Sequence, residues 1–257
     1  NYTLGFEERG ANSILVADTG VPLGESTCIS CGACVQVCPT GALIDRWSAY
    51  RGKETQVDVT NTVCVACSVG CKVNVLTRNN SLVRIEGDWD AEVNEGVLCE
   101  AGRFKPMTVE CERIATPLVR KNGALKAATW DEALSEVASH FKDAADNLAA
   151  VVSSRQPIEA LYGFKQLFAD KLGSNLVTST EEGLYTADIA AYAESKKKAF
   201  ETDLQALRTA GAVMVVDADL TENHQVAGFF IKRKLGAGTN LLVLDKKDNG
   251  LNKNANK

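Results

Sequence analysis

Eight of the chain's nine cysteines lie between positions 28 and 99, and their spacing restricts what the chain can build. The first group runs Cys28-x2-Cys31-x2-Cys34-x3-Cys38-Pro39. The second runs Cys64-x2-Cys67-x3-Cys71, with Cys99 after a further 27 residues. A [4Fe–4S] cluster needs four thiolates at the corners of a cube; a short loop can supply three while the fourth comes from elsewhere. Disulfides would need an oxidising compartment, and residues 1–20 have neither the basic start nor the apolar core of a secretory leader. Structural zinc usually draws on two close pairs that complete one tetrahedron, whereas three close cysteines followed by a fourth and a proline is the iron–sulfur pattern. For the second group a four-cysteine zinc site stays open as an alternative. Cys111 fits neither pattern and reads as a small buried side chain.

The 257 residues leave room for two or three small domains. A net charge of −5 argues against nucleic acid or anionic lipid as main partners. No run approaches the roughly 20 apolar residues of a membrane-spanning helix. Thiol-rich sites without a targeting segment point to the cytoplasm.

Three segments follow from the pattern. Residues 1–50 hold the first cysteine group, on a loop whose small residues Ser30, Gly32 and Ala33 let backbone N–H groups approach sulfur. Residues 56–112 hold the second. There, residues 72–76 and 82–85 read as two strands joined by a polar turn, and Val57 and Val59 begin a strand entering the cysteine loop. Residues 113–257 form an α/β domain, in which 147–257 alternate apolar strands with amphipathic helices. Thr129 and Glu132 form a capping box for a helix to about residue 145, residues 148–152 are a strand and residues 158–172 a helix. The runs 212–217 and 240–245 are apolar and end in Asp217 and Asp245, as buried parallel strands do, with a helix over about 222–235 between them. The pattern predicts a β–α–β unit and a doubly wound sheet. Gly236-Ala237-Gly238 joins a helix to a strand, the reverse of the dinucleotide fingerprint.

The run from Glu25 to Leu43 resembles the second of two ferredoxin-type motifs in a group of related proteins. The group comprises NAD-linked formate dehydrogenase subunits, hydrogenase subunits sharing their N-terminal region, and the large iron–sulfur subunit of respiratory NADH dehydrogenase. In two-cluster ferredoxins the fourth cysteine of each motif serves the other cluster. With no cysteine in residues 1–27, either the chain begins part-way along a longer polypeptide, which is the expectation, or Cys38 closes a single cluster with Cys28, Cys31 and Cys34. Cys64, Cys67, Cys71 and Cys99 resemble the [4Fe–4S] domain of the molybdopterin oxidoreductases, and residues 113–118 and 129–134 continue the likeness.

The resemblance implies an α+β region followed by α/β: a ferredoxin-type module, a small β-rich [4Fe–4S] domain and a doubly wound domain of molybdopterin-oxidoreductase type. It also exposes departures. Formate dehydrogenases hold molybdenum through a cysteine or selenocysteine in the region that here reads 173–184, and no cysteine follows Cys111. Their lysine two residues after the fourth cluster cysteine is here Ala101. His224 lies where the family contacts the pterin nucleotide, and as a plain residue it would serve a helix N-terminus; His140 reads as a surface histidine. The expectation is an iron–sulfur electron-transfer subunit with two [4Fe–4S] clusters, one completed from outside the chain, and without molybdopterin. Its partners would be a flavin/NAD(P)-binding subunit and other redox subunits of a cytoplasmic complex. The alternatives are the N-terminal part of a catalytic molybdenum or tungsten formate dehydrogenase, and a structural zinc protein.

Overall fold

The computed structural model describes residues 3–109, 114–144, 147–180, 183–197 and 203–255, and Cys111 lies outside them. The chain divides into two compact units, one built from residues 1–109 with 201–257 and the other from 110–200. The first unit thus takes in both cysteine groups and the final β–α–β segment, which are far apart in sequence.

The centre of the first unit is a three-stranded antiparallel sheet of Asp58–Val63, Lys72–Arg78 and Ser81–Gly87, with the 72–78 strand in the middle. Its hairpin turns over only two residues, Asn79 and Asn80, both with positive φ (50° and 59°). Two consecutive left-handed residues match the twist of the flanking strands, and asparagine tolerates that conformation. The turn is therefore tighter, and the strands longer, than the polar run suggested.

The final segment forms the expected unit: Ala212–Val216 and Asn240–Leu244 pair in parallel, with helix Gln225–Leu235 between them in sequence. Cross-strand partners Val213 with Leu241 and Val215 with Val243 face the helix, in a core with Ile231 and Leu251. The helix is shared, because its Val226 and Phe230 enter a second core with Cys71, Val73, Ile85 and Leu98 from the cysteine domain. One helix thereby ties the β–α–β unit to the second cysteine group.

The second unit contains the hairpin Leu118–Lys121 with Ala124–Ala127, helix Trp130–Ala144, and a parallel pair, Ala149–Val152 with Leu176–Ser179. The connecting helix Ile158–Lys165 widens into a π-type turn over Gln166–Lys171. Phe168 packs against Phe164 and Phe141 at centroid distances of 4.6 and 5.5 Å. Thr129 caps the 130–144 helix by accepting the Glu132 N–H at 3.2 Å, but the Glu132 carboxylate pairs with Lys121 instead of returning to the cap.

One expectation is corrected. Within their own unit the strands 212–216 and 240–244 are covered on one face only, and Met214, Val216 and Leu244 are exposed. Among the described residues, each unit holds one parallel pair of strands.

Leu98 is 1% exposed in the core beside Cys71. Leu98→Ala should cost about 2–5 kcal/mol in urea unfolding. Met214→Ala, on the open face, should cost no more than about 0.5 kcal/mol by the same measurement.

Candidate metal centres

The first cysteine loop is shaped by two left-handed residues, Ser30 (φ 54°) and Gly32 (φ 68°), just before the short helix Ala33–Val37 that carries Cys34. The Cys28 sulfur accepts the Ser30 N–H at 3.4 Å. Burial pushes the Cys34 thiol up, and neighbouring Cys31 adds to that. Cys38 sits in a different setting. Its sulfur accepts the Leu43 N–H at 3.4 Å and meets the Thr40 hydroxyl at 3.6 Å, and these bonds bring its pKa down to about 7. Cys38 also lines a cavity of about 630 Å³, together with Gln36, Arg84 and Arg103, to whose wall Cys28, Cys31 and Cys34 contribute nothing.

The second group is built where the 58–63 strand ends. Cys64 donates its N–H to the Cys71 carbonyl at 2.8 Å, which closes the cysteine loop as the chain enters the central strand. Asn94, fully buried, extends this closure. Its amide oxygen accepts the Lys72 N–H at 2.8 Å, and its amide nitrogen donates to the carbonyls of Lys72 (3.1 Å) and Val97 (3.0 Å). One side chain thus mimics a strand partner and holds the approach to Cys99 against the residue after Cys71.

Cys99 then caps the short helix Glu100–Arg103. A Cβ on Gly102 would stand 3.2 Å from the Cys64 sulfur and 3.8 Å from the Cys99 sulfur, so the absence of a side chain keeps the space between those thiols clear. Burial drives the Cys71 thiol up to about 12, reinforced by Cys64, Cys67 and Cys99. The Cys64 thiol is raised mainly by burial as well. Cys67 and Cys99 thus stand near enough to both Cys71 and Cys64 to reinforce their rise. Among the described residues, no three His, Cys, Asp or Glu side chains converge as closely as one metal ion would require.

Arg103 joins the two groups. Its backbone N–H bonds the Cys99 carbonyl at 3.0 Å, and its guanidinium donates to the carbonyl of Cys31 (2.8 Å), the carbonyl of Ile85 (3.2 Å) and Oε1 of Gln36 (2.7 Å). Gln36 completes the weld by exchanging two bonds with the Gly87 backbone, at 2.7 and 3.0 Å. None of Arg103, Gln36, Asn94 or Gly102 stood out from spacing, because none is a metal-ligand type.

His224 reaches the second group too. It precedes helix Gln225–Leu235 with φ 57°, and its Nε2 lies 2.9 Å from the Ser68 hydroxyl, next to Cys67. His140 is an exposed residue beside Glu136 at 3.4 Å. Asp245 makes a local turn, accepting from Asn249 Nδ2 (2.8 Å) and the Lys247 N–H (3.1 Å), which lowers its pKa. Asp217 lies 3.8 Å from the Lys246 ammonium.

Family models match the chain in three stretches: a 4Fe-4S binding domain over residues 21–44, a molybdopterin oxidoreductase Fe4S4 domain over 57–110, and a molybdopterin oxidoreductase domain over 113–257. The chain belongs to the molybdopterin oxidoreductase family. An NADH-quinone oxidoreductase subunit from Rhizobium meliloti is 29% identical over 89% of this chain and 27% of its own length. Another, from Thermus thermophilus, is 39% identical over 55% of this chain and 18% of its own length. A Staphylococcus haemolyticus protein named as a formate dehydrogenase is 24% identical over 91% of this chain and 28% of its own. The chain therefore spans roughly a quarter or less of the length of these relatives. Among solved structures, acetylene hydratase from Pelobacter acetylenicus shares the fold, with a TM-score of 0.54 at 18% identity over 76% of this chain and 28% of that one. This family member thus carries 4Fe-4S domains of two kinds. Among its described residues, no helix is long and apolar enough to cross a membrane.

The thiols should titrate in a set order in metal-free protein. Cys38, lowered to about 7, is thiolate above neutrality; its N–H bonds then favour the fold at alkaline pH, and that contribution fades as pH falls through 7. Cys71, raised to about 12, stays protonated. Iodoacetamide labelling followed by mass spectrometry should show Cys38 half-maximally reactive near pH 7 and Cys71 inert through pH 10. The reverse order would contradict the environments described.

Proposed function

We propose that this chain is the iron–sulfur electron-transfer part of a cytoplasmic NAD(P)-linked oxidoreductase complex. It would relay electrons between a flavin-bearing subunit and another redox partner. The observation that carries the reading is the second cysteine group. Strand pairing, the Asn94 clamp and the Cys99 helix bring Cys64, Cys67 and Cys99 around Cys71, with Gly102 leaving the space between Cys64 and Cys99 free. A [4Fe–4S] cluster, when bound, takes up and releases single electrons. The thiolates of Cys64, Cys67, Cys71 and Cys99 would hold one, and Cys28, Cys31 and Cys34 three corners of another.

Cys38, on its own cavity wall with its own N–H donors, suits the ferredoxin arrangement in which the last cysteine of a motif serves a different cluster. His224, bonded to Ser68, would steady the Cys67 loop.

A second reading has its own support. The molybdopterin oxidoreductase model covers residues 113–257, which favours part of a catalytic molybdenum or tungsten enzyme such as a formate dehydrogenase. In that reading His224 would contact the pterin nucleotide. Against it stand the lack of any cysteine after Cys111 and the alanine at position 101.

Cys99→Ser separates the sites. Paramagnetic resonance on reduced protein should show the second cluster's signal lost or converted and the first retained. Loss of both signals, or of neither, would overturn the ligand assignment.

A further inference from the structure

We propose that Arg103 is a positioning residue that sets the spacing of the two cysteine groups and lays a fixed positive charge against the first, making the cluster held there the more easily reduced. The inference rests on reading both groups as cluster ligands.

Geometry gives Arg103 this place. Its residue surface is 4% exposed, and its three side-chain bonds reach the first cysteine loop, the central sheet and Gln36. The side chain passes directly beneath Gly32, where a Cβ would stand 2.3 Å from Arg103 Cδ and 2.8 Å from the Phe104 ring. A buried guanidinium remains charged and needs compensation. Cys31, Glu86, Cys34 and Asp45 face it, in decreasing order of influence. Glu86 is paired with Arg84 at 2.5 Å and Asp45 accepts the N–H groups of Trp47 (3.1 Å) and Ser48 (3.2 Å), and both keep their negative charge. As thiolates of a cluster, Cys31 and Cys34 would add theirs on the same side of Arg103.

Toward the second group Arg103 turns its backbone N–H, bonded to the Cys99 carbonyl, and not its guanidinium. That group abuts the apolar core of Val73, Ile85, Leu98, Val226 and Phe230. Arg208, 5.5 Å from the Phe230 ring, pairs with Glu95, which Arg233 shares at 3.8 Å. Reduction adds negative charge, which a neighbouring cation favours and an apolar setting resists. With clusters bound, electrons would run downhill from the site held by Cys64, Cys67, Cys71 and Cys99 to the site held by the Cys28 loop, one electron leaving the former for each that reaches the latter, with no bond or proton moved.

The test is a redox titration of iron-loaded protein followed by paramagnetic resonance, with iron and sulfide measured alongside. Arg103→Gln should shift the first cluster's midpoint to more negative potential and leave the second's in place. Arg103→Lys, which keeps the charge, should recover part of the shift. Wild-type iron and sulfide with an unmoved first midpoint would overturn the inference while leaving the ligand assignment intact. If Arg103→Gln loads no iron, the wild-type titration decides. The signal lost in Cys99→Ser must be the one of more negative potential, and the opposite order would overturn the proposal. Wild-type protein without iron would sink the ligand assignment and this inference together.

Discussion

A charged guanidinium buried to 4% exposure needs acceptors for its donors, and Arg103 finds three by joining parts of the chain that are far apart in sequence. Its bonds to Cys31, Gln36 and Ile85, and its backbone bond to Cys99, oblige the first cysteine loop to sit where the helix after the second group ends. Gly32 gives way for this side chain, and Gln36 anchors the short helix to the sheet end at Gly87. Remove the charge and the carbonyls of Cys31 and Ile85 lose their donors together.

The second centre depends on packing as much as on polar contacts. Helix Gln225–Leu235 shows Val226 and Phe230 to the cysteine domain and Ile231 to the parallel strands. The packing at Cys71 is thereby coupled to a segment more than 150 residues downstream, and His224 adds a polar bond between the same parts through Ser68. Rigidity of this kind suits one-electron transfer, in which the surroundings should rearrange little.

How much of this the sequence revealed depended on the type of signal. Cysteine spacing gave the two groups, because ligand chemistry demands those residues at those intervals. Apolar runs gave the final parallel pair, and its register confirms that Val213, Val215, Leu241 and Val243 form one face. The exposed outer face escaped notice, because a continuous apolar run looks the same whether one side or two are covered. The joining residues escaped as well. Arginine, glutamine and asparagine are ordinary surface residues until a fold buries them, and nothing local at Arg103, Gln36 or Asn94 marks the carbonyls they will meet. The capping box at Thr129 was half right, since Lys121 in the preceding hairpin competes for the Glu132 carboxylate.

A chain with paired thiolate sites in the molybdopterin oxidoreductase family invites one question before any other: which metals it holds. Iron, acid-labile sulfide, molybdenum, tungsten and zinc should be measured together on anaerobically purified protein. About eight iron and eight sulfide per chain, with no molybdenum or tungsten, is the result expected of a two-cluster relay. Stoichiometric molybdenum or tungsten would mean that a working catalytic centre has been taken for an electron relay, and zinc without iron would contradict the account altogether.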